Sequence, residues 1–132
     1  MKTILIATSL MVSLSALGAS TAPAGAGEKP ASAGRCFYVH DVRNHTIGDD
    51  HTLYLNVRGN SVFRVGMTNS CFGASGPSDA VILKEHGSSN ICLPVDLDVT
   101  LDSGGAPSRC IVDTLTRLTP AEVAALPKKV QP

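Results

Sequence analysis

The chain has 132 residues with 11 Lys and Arg against 11 Asp and Glu, and its aromatics are three Phe, two Tyr and no Trp. This balance leaves no basic stripe. Phe37, Tyr38, Tyr54, Phe63 and Phe72 are not interleaved with Lys or Arg clusters, so nucleic acid is excluded as an expected partner.

The opening segment reads as an export signal. Residues 1–26 carry Lys2, an apolar run over 4–17, and then Gly18, Ala19, Ser20, Ala22, Ala24, Gly25 and Ala26. That order is the pattern of a secretory signal peptide, with Ala16 and Gly18 or Ala24 and Ala26 as the small residues flanking cleavage. An apolar run of about 14 residues falls short of the ~20 needed to cross a bilayer, so no membrane insertion is expected after cleavage. Cys36 follows Arg35 and lies far from the apolar run, which argues against a lipid anchor. Residues 27–35 form a flexible leader, 36–127 one β-rich domain, and 128–132 a C-terminal tail. Losing Lys2 with the signal leaves the mature chain close to neutral.

Residues 36–42 are aromatic and β-branched and predict a first strand, and Gly48-Asp49-Asp50 predicts a turn. Leu53, Leu55 and Val57 then alternate with polar residues, as do Phe63, Val65 and Met67 beyond Gly59-Asn60, which predicts a β-hairpin. A slip of one residue exchanges the faces of a strand, so burial selects an odd-length loop, 59–61 or 58–62. The expected pairs are Val57 with Phe63, Leu55 with Val65, and Leu53 with Met67. A loop over 72–79 precedes a short buried strand at 80–83. Val95, Leu97, Val99 and Leu101 alternate with Asp96, Asp98, Thr100 and Asp102 as a half-exposed strand. Residues 103–107 turn the chain and 110–115 return it. Thr119-Pro120-Ala121-Glu122 is a capping box with proline at the first helical position, and Pro127 ends the short helix. The fold expected is mainly β, a small antiparallel barrel or sandwich of about six strands with a short C-terminal helix.

Cys36, Cys71, Cys92 and Cys110 are even in number and lack a CxxC pair, so they predict two disulfides in an oxidising compartment, periplasmic or secreted. Pairing Cys36 with Cys110 and Cys71 with Cys92 ties the first strand to the last and closes the middle. Sequential pairing is the alternative. Loops of this size correspond to about 3 to 5 kcal/mol per bridge in the chain-entropy model.

Chemistry-bearing residues are few. His40, His45 and His51, with Asp41, Asp49 and Asp50 between them, are a candidate zinc or copper set, although their spacing fits no compact ligand signature. The acidic row Asp96, Asp98 and Asp102 reads as a weak calcium site or, better, as the wet face of a sheet. No GxSxG is present, and Gly104-Gly105 is too isolated to cradle phosphate. No catalytic residue and no cofactor are assigned.

The aromatic strand led by Cys36, the run Asn69-Ser70-Cys71, the pair Ile91-Cys92, and Cys110-Ile111-Val112 leading into Leu118-Thr119-Pro120-Ala121-Glu122-Val123 resemble a family of small exported four-cysteine bacterial proteins catalogued as a domain of unknown function. Leu93-Pro94-Val95-Asp96 departs from the glycine-aspartate that follows the third cysteine in that family's commoner variants. The resemblance implies export and supplies no active residues. The function expected is therefore a non-enzymatic, disulfide-stabilised module that binds an envelope or extracellular protein, with the loops at 72–79 and 102–109 as its surfaces. A metal-binding protein, an inhibitor of an envelope hydrolase and an unrecognised hydrolase are the alternatives.

Overall fold

The computed structural model describes residues 36–76 and 78–132, so the expected signal peptide and leader lie outside the described residues. The chain is mainly β. Its strands are β1 (Phe37–Tyr38), β2 (Val42–Asp49), β3 (Thr52–Val57), β4 (Ser61–Met67), β5 (Ala80–Glu85), β6 (Asn90–Ile91), β7 (Leu97–Ser103), β8 (Ala106–Cys110) and β9 (Val112–Arg117), with one helix, α1 (Pro120–Ala125). They form three antiparallel sheets among the described residues, ordered β2-β3-β4-β9, β5-β7-β8 and β1-β6. Both larger sheets end in edge strands, so neither closes on itself.

Nine strands among the described residues replace the expected six, because two predicted strands change sheets midway and β6 forms in a stretch read as loop. The run at 36–42 splits into β1, a 3-10 turn at Val39–Asp41, and the start of β2. β1 pairs with β6 while β2 pairs with β3, and the turn redirects the backbone between them. The return strand at 110–115 likewise divides at Ile111, leaving Cys110 in the sheet with β7 and Val112 in the sheet with β4. This corner is held from the side. Thr68 donates its backbone N–H to the Ile111 carbonyl at 2.9 Å. The Asn69 amide accepts the Ile111 N–H at 2.7 Å and donates to the Arg109 carbonyl at 3.2 Å, doing what a neighbouring strand would do.

The central hairpin shows how far alternation reaches. Leu53 pairs with Val65, Leu55 with Phe63 and Val57 with Ser61, leaving a three-residue loop of Arg58, Gly59 and Asn60. Its odd length and buried face agree with expectation, but the pairing is two residues away from Val57 with Phe63. A two-residue shift keeps every side chain on its face, so burial is indifferent to it. Turn chemistry decides instead: Gly59 (φ 81°) and Asn60 (φ 58°) take left-handed conformations that these residue types tolerate. Arg58 is drawn out of the ladder, donating its N–H to the Asp41 carbonyl at 2.9 Å, with its Nε 3.3 Å from the Asp41 carboxylate.

The second hairpin, β7–β8, turns at Gly104-Gly105, both at positive φ, between paired Ser103 and Ala106. β7 buries Leu97, Val99 and Leu101 as its alternation predicts, and begins at Leu97 because Pro94–Asp96 forms a 3-10 turn. β5 is only half-buried where a buried strand was expected, since it pairs with β7 on one side and forms the sheet edge. Leu53, Leu55, Phe63 and Val65 from one large sheet and Leu97, Val99 and Leu101 from the other join a single core with Phe37, Phe72 and Ile91. Phe37 and Phe63 pack with their rings tilted, centroids 4.7 Å apart.

The disulfides join Cys36 to Cys92 and Cys71 to Cys110, which corrects both the favoured and the sequential pairing. Register explains the first. Phe37 faces Ile91 and Tyr38 faces Asn90, so one step outward along the antiparallel pair Cys36 meets Cys92, with Cα atoms 4.3 Å apart. The second bridges the 68–71 segment to the Arg109–Ile111 corner that it already grips. Both are long-range links in the fold, with separations of 56 and 39 residues.

At the C-terminus, Thr119 caps α1. Its hydroxyl accepts the Glu122 N–H at 3.3 Å, and the Glu122 carboxylate accepts the Thr119 N–H at 2.7 Å. The tail at 128–132 docks on the four-stranded sheet. Thr46 donates to the Val130 carbonyl at 2.6 Å, Asn56 to the Pro132 carbonyl at 3.3 Å, and Val130 is buried.

Candidate functional site

A domain of this size exposes many apolar atoms singly, so the informative feature is clustering. The exposed large hydrophobics among the described residues are Tyr38, Leu93, Val95 and Ile111, and the last three line one groove of about 640 Å³. One wall is the 3-10 turn after Cys92, with Leu93 58% and Val95 67% exposed on either side of Pro94. The other is the sheet-changing corner, with Ile111 58% exposed and Val112 beside it. The exposure follows from the backbone. Three-residue helical turns and strand corners break the period of two, so apolar residues that alternation would bury face outward.

Asp96 and the paired strands hold the first wall. The Asp96 carboxylate accepts the backbone N–H groups of Cys92 at 3.0 Å and Leu93 at 2.8 Å, while its carbonyl accepts the His86 N–H at 2.8 Å. His86, Asp98 and Arg109 stand at the polar end of the groove. Arg109 Nη2 donates to Asp98 Oδ1 at 2.6 Å, and His86 Nδ1 lies 3.2 Å from Asp98 Oδ2. The Arg109 hydrogen bond holds the Asp98 carboxyl below the ordinary carboxylate range, with the nearby guanidinium charge and His86 adding to the effect. No Ser, Thr or free thiol lines the groove for an Asp–His pair to activate, because its one cysteine, Cys110, is in a disulfide. The arrangement suits an apolar side chain on the floor and a polar or charged group at the Arg109 end.

A second groove of about 480 Å³ lies between the Gly59-Asn60-Ser61 turn and α1, next to Arg117 and Gln131. Its walls carry none of the exposed large hydrophobics.

The residues singled out from sequence lie elsewhere. His40 sits in the 3-10 turn after β1 with its ring stacked on Tyr38, centroids 5.2 Å apart. His45 is exposed on β2 opposite Leu55, and His51 occupies the turn before β3, donating its N–H to Asp49 at 2.8 Å. That bond lowers the Asp49 carboxyl. No group of three His, Cys, Asp or Glu side chains converges as a metal site among the described residues. The acidic row does not act as one face. Asp96 caps the 3-10 turn, Asp98 pairs with Arg109, and Asp102 accepts the Gly105 N–H at 2.8 Å to fix the hairpin turn. Of the two loops expected as surfaces, the first begins with Phe72 in the core, and most of the second is the tight turn and β8. Only Arg109 belongs both to that second loop and to the groove.

Leu93, Val95 and Ile111 were missed because Val95 and Ile111 read as interior strand positions. The signal that would have marked Leu93 and Val95 is Pro94 between them directly after a cysteine, a sequence that cannot continue a central strand. Comparison with protein-family models, curated proteins and solved structures finds no match for this chain.

Proposed function

We propose that this protein is a non-enzymatic binding module of the periplasm or extracellular space, built as a sandwich-like pair of sheets. It takes an extended segment of another extracellular protein into the groove between the Leu93–Pro94–Val95 turn and the Ile111 corner. The observation that carries this reading is the convergence of three exposed large hydrophobics on one concave surface, when such residues are ordinarily scattered. The two disulfides and the lack of free cysteines are in keeping with an oxidising compartment. Among the described residues no helix is long and apolar enough to cross a membrane.

A bound segment would place an apolar side chain between Leu93, Val95 and Ile111, and an acceptor within reach of the Arg109 N–H groups that Asp98 does not engage. The guanidinium has five donors, and its side chain is 71% exposed. The test is selection from a displayed peptide library against the oxidised protein, repeated on Val95→Asp and Ile111→Asp variants. Enriched apolar peptides whose binding both substitutions abolish, with the thermal midpoint unchanged, support the groove. Failure to enrich any peptide, or equal binding to all three proteins, overturns it.

A further inference from the structure

The two disulfides differ in ways that bear on the groove. Cys71 and Cys110 are 8% and 2% exposed and belong to the core cluster. Cys36 and Cys92 are both only half-buried, and Cys92 immediately precedes the groove wall. Their surroundings differ as well. The Cys71–Cys110 bridge lies among the large sheets, with Thr68 and Asn69 bonded to the corner beside it. The Cys36–Cys92 bridge ends a sheet of two strands with two residues each, which has too little pairing to persist alone in water.

We infer that Cys36–Cys92 is a selectively reducible bond, and that its opening releases the Leu93–Val95 wall while the two-sheet core stays folded. This makes the groove redox-regulated, and that consequence rests on the binding reading above. Thiol–disulfide exchange requires a thiolate to reach a sulfur along the S–S axis, which the half-buried bond allows and the buried bond prevents until the core opens. The reductant is a dithiol. One of its thiolates attacks a sulfur of the pair, forming a mixed disulfide and expelling the other cysteine as thiolate. Its second thiolate then displaces the bound cysteine. Two electrons pass to Cys36 and Cys92, the dithiol closes to a disulfide, and its two protons finish on the cysteine thiols.

Once the bond is open, the wall is held by the β1–β6 pairs, the Asp96 carboxylate and the His86 N–H bond to the Asp96 carbonyl. The Asp96 carboxylate bonds lie within the segment and restrain its shape more than its place. Of these ties only the β1–β6 pairs and the His86 bond reach outside it, so the wall loses its disulfide cross-link and keeps only these bonds and its chain continuity with the buried Ile91 and Leu97.

The experiment titrates the oxidised protein with dithiothreitol under native conditions, alkylates the released thiols, and maps them by mass spectrometry. Backbone hydrogen exchange is followed in parallel. The expected result is labelling at Cys36 and Cys92 while Cys71 and Cys110 stay unlabelled, with protection lost over residues 90–96 and kept over 52–67. Labelling of Cys71 and Cys110 first or together with the other pair overturns the inference, as does selective labelling that leaves protection at 90–96 unchanged. The Cys36→Ser, Cys92→Ser double variant should reproduce the reduced exchange pattern, and the titration decides the matter if that variant does not fold. Neither readout involves a ligand, so they stand if no peptide is ever selected. If peptides are selected, their affinity should fall on reduction, and unchanged affinity would overturn the regulatory consequence alone.

Discussion

The β3–β4 hairpin and the groove wall after Cys92 solve the same problem in different ways. The hairpin buries Leu53, Leu55 and Val65 completely, and alternate residues along its ladder gain apolar burial. The wall leaves Leu93 and Val95 in water and is kept in place by one disulfide, one carboxylate, the His86 bond and a sheet of two two-residue strands. Burial makes the first region self-supporting. The second depends on tethers, and freedom from packing is what leaves its apolar side chains facing the groove.

Several substitutions would break or sharpen this contrast. The largest expected effect is Leu55→Ala, which empties a fully buried site and should cost about 2–5 kcal/mol in urea unfolding. Val95→Ser should stay within about 0.5 kcal/mol of the parent, and a cost like that of Leu55→Ala would mean the wall is core after all. Replacing Cys71 and Cys110 together by Ser should cost about 2–5 kcal/mol, the range for native bridges in small exported domains, and more than the same change at Cys36 and Cys92. The added penalty comes from placing hydroxyls in the core, and thermal midpoints of the two double variants measure it.

At the margin of the fold, Thr119→Ala removes the α1 cap and should cost about 1 kcal/mol, read by chemical denaturation. A further small effect is electrostatic. Arg109 lowers the folded-state carboxyl of Asp98, so the stability contributed is present above the unfolded value of about 3.9 and is lost as pH falls through the lowered folded value. Asp98→Asn should therefore differ from the parent by less than about 1 kcal/mol near neutrality, with the difference disappearing in strong acid. A difference that persists in acid would mean Asp98 acts through packing rather than charge.

The elements legible in the sequence are those whose determinants lie within a few residues. The alternation of Leu97, Val99 and Leu101 marked the buried face of β7, the Gly104-Gly105 pair marked its turn, and Thr119 with Glu122 marked the start of α1. The breaks at Val39–Asp41 and Ile111 were illegible because the residues on either side are good strand formers, and only pairing with different sheets separates them. The groove was hidden for the same reason, since its walls are those breaks. The histidines drew attention through a property of side chains alone, while the backbone distributed them over two turns and a strand.

Local chemistry thus determined that this chain is a mainly β domain with two disulfides, because strand period, turn residues and helix caps act over short stretches of backbone. Which cysteines meet, which register the hairpin takes among those with the same buried face, and where Leu93, Val95 and Ile111 come together were decided only by the packed sheets. Those outcomes depend on contacts between residues far apart in the chain, and such contacts exist only once the strands have found their neighbours.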